Sequence, residues 1–224
     1  MSVQEQVEAV VADAPGTFGI YARNVGTGEI VDVNAHRVMN TESAAKVFIL
    51  LYYRRLVESG VCDPAQRIEL TDDNRYWGTG VLRYLGGGIQ PTLDDLAWLM
   101  VIVSDNVATA MLLQAIGDQA TVNAAMHELG LESAQLNPSI TVETAMAGEA
   151  FATATPLRVY NKPGNGLGTC IDSGLFETTK ASWVVAAMAS EQPDFASRPD
   201  DVAPQVFARI GELLYDAWGE VAPV

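Results

Sequence analysis

Histidine and cysteine are almost missing from this chain, with two of each in 224 residues. Structural zinc sites draw their ligands mainly from these two types, in closely spaced pairs. His36, His127, Cys62 and Cys170 form no such pairs, so neither a metal nor a cofactor is expected. The cysteines read as free thiols, since nothing in their spacing demands a disulfide. Basic residues are scarce too: 13 Lys and Arg stand against 28 Asp and Glu, a net charge of −15. Nucleic-acid binding needs basic patches to neutralise phosphates, so that class is excluded and a small-molecule substrate is the expected partner. The acidity itself reads as a solubility feature. No apolar run approaches the ~20 residues of a membrane span. Met1 to Gln6 carry neither a basic start nor an apolar signal core, so a cytoplasmic protein is expected.

What is present is a globular composition, 49% hydrophobic and 18% charged, which suits one compact unit or two lobes. Residues 4–13 read as a short amphipathic helix ended by Ala14-Pro15-Gly16. Phe18–Asn24 and Glu29–Asn34 flank the turn Val25-Gly26-Thr27-Gly28, a hairpin signal. An unbroken apolar and aromatic run, Ala44–Ser59, predicts a helix that is apolar nearly all round and buried. Residues 62–90 read mostly as loop. Thr92, with Asp95 three residues on, opens a helix running to about Val103. Helices at Asn106–Ile116 and Gln119–Leu129 follow, stopped by Gly117 and Gly130. Residues 139–155 read as a short helix or a loop. Strands resume at Leu157–Lys162, Ile171–Glu177 and Ala181–Ala189, with a turn at Gly164–Gly168, before a last helix at Ala203–Trp218.

This order predicts an α+β fold with five strands in one mostly antiparallel sheet, flanked by the terminal helices. Residues 1–38 and 157–224 would form the discontinuous α/β lobe and 39–156 an all-helical lobe, with a cleft between them as the natural place for a site.

Three short elements carry the chemistry: Ser43-Ala44-Ala45-Lys46, Ser104-Asp105-Asn106 and Lys162-Pro163-Gly164. Read singly, each is no more than a helix cap with a nearby lysine. Their order and setting say more. Ser43 at a helix start sits among unpaired backbone N–H groups. Lys46, three residues on, lies on the same helix face. Burial of Lys46 in an apolar helix favours the neutral amine, and a serine needs such a base to become a nucleophile.

Ser-x-x-Lys, Ser-Asp-Asn and a Lys-x-Gly, in that order, resemble the class A β-lactamase and penicillin-binding-protein superfamily. Phe18–Glu29 is similar to that family's first hairpin, Tyr76–Leu82 and Leu99–Val103 to its segments before Ser-Asp-Asn, and Arg209–Trp218 to its closing helix. The resemblance implies that Ser43 forms an acyl-enzyme while Lys46 takes its proton. It implies that Ser104 relays the proton and that Asn106 holds a substrate amide and Lys46. Lys162 would supply positive charge, and the N–H groups of Ser43 and Asn165 would form an oxyanion hole. Trp77 and Tyr76 would either line the cleft mouth, stacking on substrate, or serve in packing.

Two departures from the family pattern bear on function. Pro163 replaces the usual hydroxyl residue of the third motif, which helps bind the carboxylate of β-lactams. The segment between Asn106 and Lys162 is short, and its late acidic residues, Glu143 and Glu149, do not stand in the usual sequence of a deacylating loop. The expected function is a serine hydrolase or acyltransferase acting on an amide, ester or thioester in a cytoplasmic pathway, and not an efficient β-lactamase. A true class A-type β-lactamase remains an alternative. So does a protein that reuses the fold for binding, cyclisation or isomerisation.

Overall fold

The computed structural model describes residues 1–74, 78–136, 158–194 and 198–219. By internal contacts it divides into two units: the described parts of Met1–Ala44 with Met146–Val224, and of Ala45–Ala145.

The first unit holds α1 (Val3–Ala12), β1 (Thr17–Asn24), β2 (Ile30–Val33), β3 (Arg158–Gly166), β4 (Thr169–Glu177), β5 (Ser182–Ser190) and α6 (Val202–Trp218). Its five strands form one sheet in the order β2-β1-β5-β4-β3, and every pairing is antiparallel. One face is apolar by alternation: Phe18, Ile20 and Ala22 on β1, Trp183, Ala187 and Ala189 on β5, with Cys170 on β4. That face packs against α1 and α6. Helix α6 supplies Val206, Phe207, Ile210, Leu213, Leu214 and Trp218 at helical spacing. Each large side chain so buried contributes roughly 1.5–3 kcal/mol. Helix α1 starts on a capping box in which Ser2 and Glu5 satisfy each other's backbone N–H groups.

The second unit holds α2 (Lys46–Glu58), α3 (Leu93–Ile102), α4 (Asn106–Ile116) and α5 (Gln119–Glu128). Its core joins Ile49 and Tyr53 of α2 to Leu93, Leu96 and Met100 of α3, Met111 and Leu112 of α4, and Val122 and Met126 of α5. The cap expected at Thr92 is present as a complete box with Asp95. Among the described residues no helix is long and apolar enough to cross a membrane.

Four expectations need correction or redrawing. Helix α2 is not buried all round: Lys46, Ile49 and Tyr53 form its inner stripe, while Val47 and Leu51 are 41% and 39% exposed. Its α-helical part starts at Lys46, because Glu42–Ala45 form a 3₁₀ turn instead. The strand expected to end at Lys162 runs on to Gly166, since β3 lies at the edge of the sheet, the setting that admits Pro163. The division of the chain falls after Ala44 and not after residue 38, because the turn carrying Ser43 packs against Gly164 of β3. Residues 139–155, with Glu143 and Glu149, lie outside the described residues, as does Trp77.

Candidate active site

In the helical unit, Lys46 opens α2 and is 7% exposed. Its ammonium donates to the Ser104 carbonyl at 2.7 Å, to Ser104 Oγ at 2.9 Å and to Asn106 Oδ1 at 2.7 Å. Direct hydrogen bonds thus join Lys46, Ser104 and Asn106.

The loop that presents Ser104 and Asn106 is held from below by Asp105. This residue was read only as the middle of a motif, yet it is fully buried. Its Oδ1 caps α4 by accepting from Ala108 N–H at 3.0 Å. Its Oδ2 accepts from the N–H groups of Val81 and Leu82 at 2.7 and 2.9 Å. Gly80 is required beside it, because any Cβ there would run into the Asp105 side chain, and its φ of 113° suits glycine. Thr79 closes the loop: its hydroxyl donates to the Ser104 carbonyl at 2.6 Å, and its own carbonyl accepts from Asn106 N–H at 3.0 Å. Ser104 is left at φ 54°, a left-handed conformation that a serine adopts only when its surroundings impose it. The spacing of Asp105 before a helix was a legible cap signal, whereas its bonds to Val81 and Leu82 come from a distant loop.

In the sheet unit, Ser43 lies in the Glu42–Ala45 turn and does not act as a helix cap; the cap position is Ala45, with no side-chain bond. Helical runs leave their first N–H groups without internal partners. In this turn Ala44 N–H is already bonded to the Thr41 carbonyl at 2.9 Å. The outer edge of β3 closes on the same turn. A methyl group on Gly164 would stand 2.6 Å from the Thr41 carbonyl oxygen and 3.0 Å from the Ser43 amide nitrogen. Only glycine lets the strand approach so closely. Glu42 has a φ of 45°, accepts from Asn40 Nδ2 at 2.6 Å, and its carboxylate would meet a Cβ on Gly166 at 2.5 Å. Burial raises the Glu42 pKa above the ordinary carboxylate value.

Lys162 is 4% exposed, and its ammonium donates to the Pro163 carbonyl at 2.8 Å. Burial draws its pKa down to about 8, against an opposing pull from Asp172. Asp172 stands directly opposite Pro163 in the β3–β4 register. Its oxygens accept from Asn161 Nδ2 at 2.9 and 3.2 Å. Burial raises its pKa, with the Asn161 amide, the Ser173 N–H and Lys162 working the other way. Asn165 follows Gly164 on β3, opposite Cys170. Both cysteines are free, and burial lifts the Cys170 thiol to about 12.

A lysine is bonded to a serine hydroxyl and an amide, and a second serine's backbone sits against a strand edge beside a buried lysine. Residues 2–156 match the model of the beta-lactamase enzyme family. The carbapenem-hydrolyzing beta-lactamase KPC of Klebsiella oxytoca is 26% identical over 166 residues, 70% of this chain and 54% of that protein. The chain thus spans about half the length of the curated relatives it matches. In fold it resembles a beta-lactamase of Sphaerobacter thermophilus, with a TM-score of 0.82 at 22% identity over 99% of this chain and 98% of the other. It also resembles PBP-A, with a TM-score of 0.81 at 20% identity over 96% and 95% of the two chains.

Proposed function

Because this chain belongs to the beta-lactamase enzyme family, we propose that it is a serine acyl-transfer enzyme with Ser43 as nucleophile and Lys46 as base. The observation that carries the reading is the Lys46 ammonium bonded at once to Ser104 and Asn106. Pure binding has no need of a buried lysine trained on a serine hydroxyl three residues after a second serine. In the neutral state Lys46 accepts the Ser43 hydroxyl proton as Oγ bonds to the substrate carbonyl carbon. The developing oxyanion takes hydrogen bonds from the N–H groups of Ser43 and Asn165. Collapse of the tetrahedral adduct breaks the bond to the leaving group, which receives a proton through Ser104. Lys162 adds positive charge near neutral pH, and Asn106 keeps Lys46 in place. Water or an amine, alcohol or thiol then attacks the acyl carbonyl, and its proton passes by way of Lys46 to Ser43 Oγ as the acyl–oxygen bond breaks.

The substrate is an amide, ester or thioester, and β-lactams are poor ones. Pro163 offers no hydroxyl to a β-lactam carboxylate, and the Lys162 ammonium is already bonded to a backbone carbonyl. An intracellular pathway is part of the same proposal, in keeping with two cysteines left as free thiols.

Intact-protein mass spectrometry tests the reading, after incubation with a fluorophosphonate, a penicillin and a p-nitrophenyl ester. Adducts that disappear in Ser43→Ala support it, and a long-lived penicillin adduct supports slow deacylation. Absence of any adduct overturns it in favour of a fold reused for binding or for chemistry without a serine nucleophile.

A further inference from the structure

The Ser104 carbonyl receives two donors at short range. The Lys46 ammonium reaches it at 2.7 Å and the Thr79 hydroxyl at 2.6 Å. Its direction is set from the other end of the same peptide unit. Planarity ties the carbonyl to the N–H of Asp105, which donates to the Leu99 carbonyl of α3 at 3.0 Å. The Thr79 main chain is tied to the same loop by the bond from Asn106 N–H at 3.0 Å. Loss of the Thr79 hydroxyl would therefore leave the oxygen aimed at Lys46. A carbonyl that accepts from two donors offers less charge to each, and the two hydrogens on one oxygen repel each other. Hydrogen bonds to an ammonium favour its charged form. The Thr79 hydroxyl thus draws on an acceptor that keeps the proton on Lys46.

We propose that Thr79 is a positioning residue for Lys46: by sharing the Ser104 carbonyl, its hydroxyl loosens the hold on the ammonium and eases the proton loss that precedes attack by Ser43. The inference rests on the reading of Lys46 as base and deepens it by naming a group that readies it. The charged groups on the elements packed against α2 are otherwise engaged or exposed. Among the described residues, α4 carries no ionisable side chain. On α3, Asp94 is bonded to Tyr53 and Arg54, and Asp95 to Thr92. On α5, His127 and Glu128 are exposed. Asp105 is bonded to three backbone N–H groups, and Arg83 to the Gly78 carbonyl at 2.6 Å. The further charges of α2 itself, Arg54, Arg55 and Glu58, lie at its far end. A neutral substitution at Thr79 alters none of these charges.

The chain's lysines are Lys46, Lys162 and Lys180, so NMR with isotope-labelled lysine side chains follows each titration, and Lys46→Arg identifies the signal sought. Thr79→Val, which keeps the shape and removes the hydroxyl, should raise the Lys46 midpoint by about 0.5–1 pH unit. Thr79→Ser, which keeps the donor, should restore the wild-type value. The acid limb of kcat/KM for a p-nitrophenyl ester should move with it, a loss of roughly 3- to 10-fold below the limb with little change on the plateau. Thr79→Ala serves if valine prevents folding. A midpoint unmoved or lowered in the valine and alanine variants, or not restored by serine, overturns the proposal. So does an equal shift of the Lys162 signal, which should stay near 8 and whose movement would mark a general change of fold. The expected shift in a protein that forms no adduct on Ser43 supports the hold of Thr79 on Lys46 and overturns the acyl-enzyme reading alone.

Discussion

Replacing Asp105 by alanine removes one carboxylate and strands three backbone donors, those of Val81, Leu82 and Ala108. Their surroundings decide the cost. Val81 is 45% exposed, so water can take up its N–H. Leu82 and Ala108 are 2% and 0% exposed, and their N–H groups would stay unpaired. An unsatisfied buried donor costs about 1–3 kcal/mol. The Ala108 share is also the loss of the α4 cap, about 0.5–2 kcal/mol, and is counted once. The sum is about 2–6 kcal/mol, a large part of the 5–15 kcal/mol typical of a folded domain. For a chain of this size the melting temperature should fall by roughly 10 °C. Asp105→Asn keeps one acceptor and turns an amide NH₂ toward the other donors, so about half the loss should remain. Thermal melts by circular dichroism and urea titrations measure both variants. The reasoning fails if alanine costs less than about 1 kcal/mol, or if asparagine matches the wild type.

Gly164→Ala sets a methyl group 2.6 Å from the Thr41 carbonyl oxygen, closer than backbone tolerates, so the Ser43 turn must shift. Stability should drop by about 1–3 kcal/mol, and turnover of a p-nitrophenyl ester by about 100-fold; retention of near-full activity refutes the close approach. Lys162 titrates near 8 in the folded protein against an ordinary 10.5. From pH 8 upward the unfolded chain therefore binds more protons, and stability should rise by roughly 1 kcal/mol up to pH 9. Above pH 9 the Cys170 thiol, held at about 12, works the other way, because it ionises first in the unfolded chain. Urea midpoints across this range should climb and then turn, and Lys162→Met should erase the climb. Tyr53→Phe removes the hydroxyl that donates to Asp94 Oδ1 at 2.8 Å, and denaturant unfolding should register about 0.5–1.5 kcal/mol of lost stability.

Much of this was legible in the residues because it rests on local rules. The capping box at Thr92 needs only Asp95 three residues on, and the stripe of α6 shows in its apolar spacing. The β1–β2 hairpin is announced by its glycines. Errors arose where a distant segment overrules a local signal. Pro163 and Gly164 look like strand breakers, but among the described residues β3 is an edge strand that pairs only with β4. Ser43 looks like a helix start, whereas the chain first makes a 3₁₀ turn. In the site, Lys46, Ser104 and Asn106 could be grouped from motif order. Asp105 could not be seen as their support, because burying a carboxylate depends on N–H groups from residues 81 and 82. Glu42 escaped notice for a similar reason: its neighbour Gly166 is far away in the chain.

Pro163 also bears on how a ligand can be held. Along an antiparallel strand, successive N–H groups alternate between the neighbouring strand and the open side. If Asn165 turns its N–H outward to an oxyanion, residue 163 occupies the same outward phase. In that phase a proline at 163 takes nothing from the ladder with β4, but it deletes a donor from the outer side of β3. An extended polypeptide cannot zip onto that side by continuous main-chain pairing, whether it is a substrate or a second copy of this protein. On the proposed acyl-transfer reading, a ligand at Ser43 would be short or would bend away at Pro163, which favours compact acyl donors over stretches of peptide.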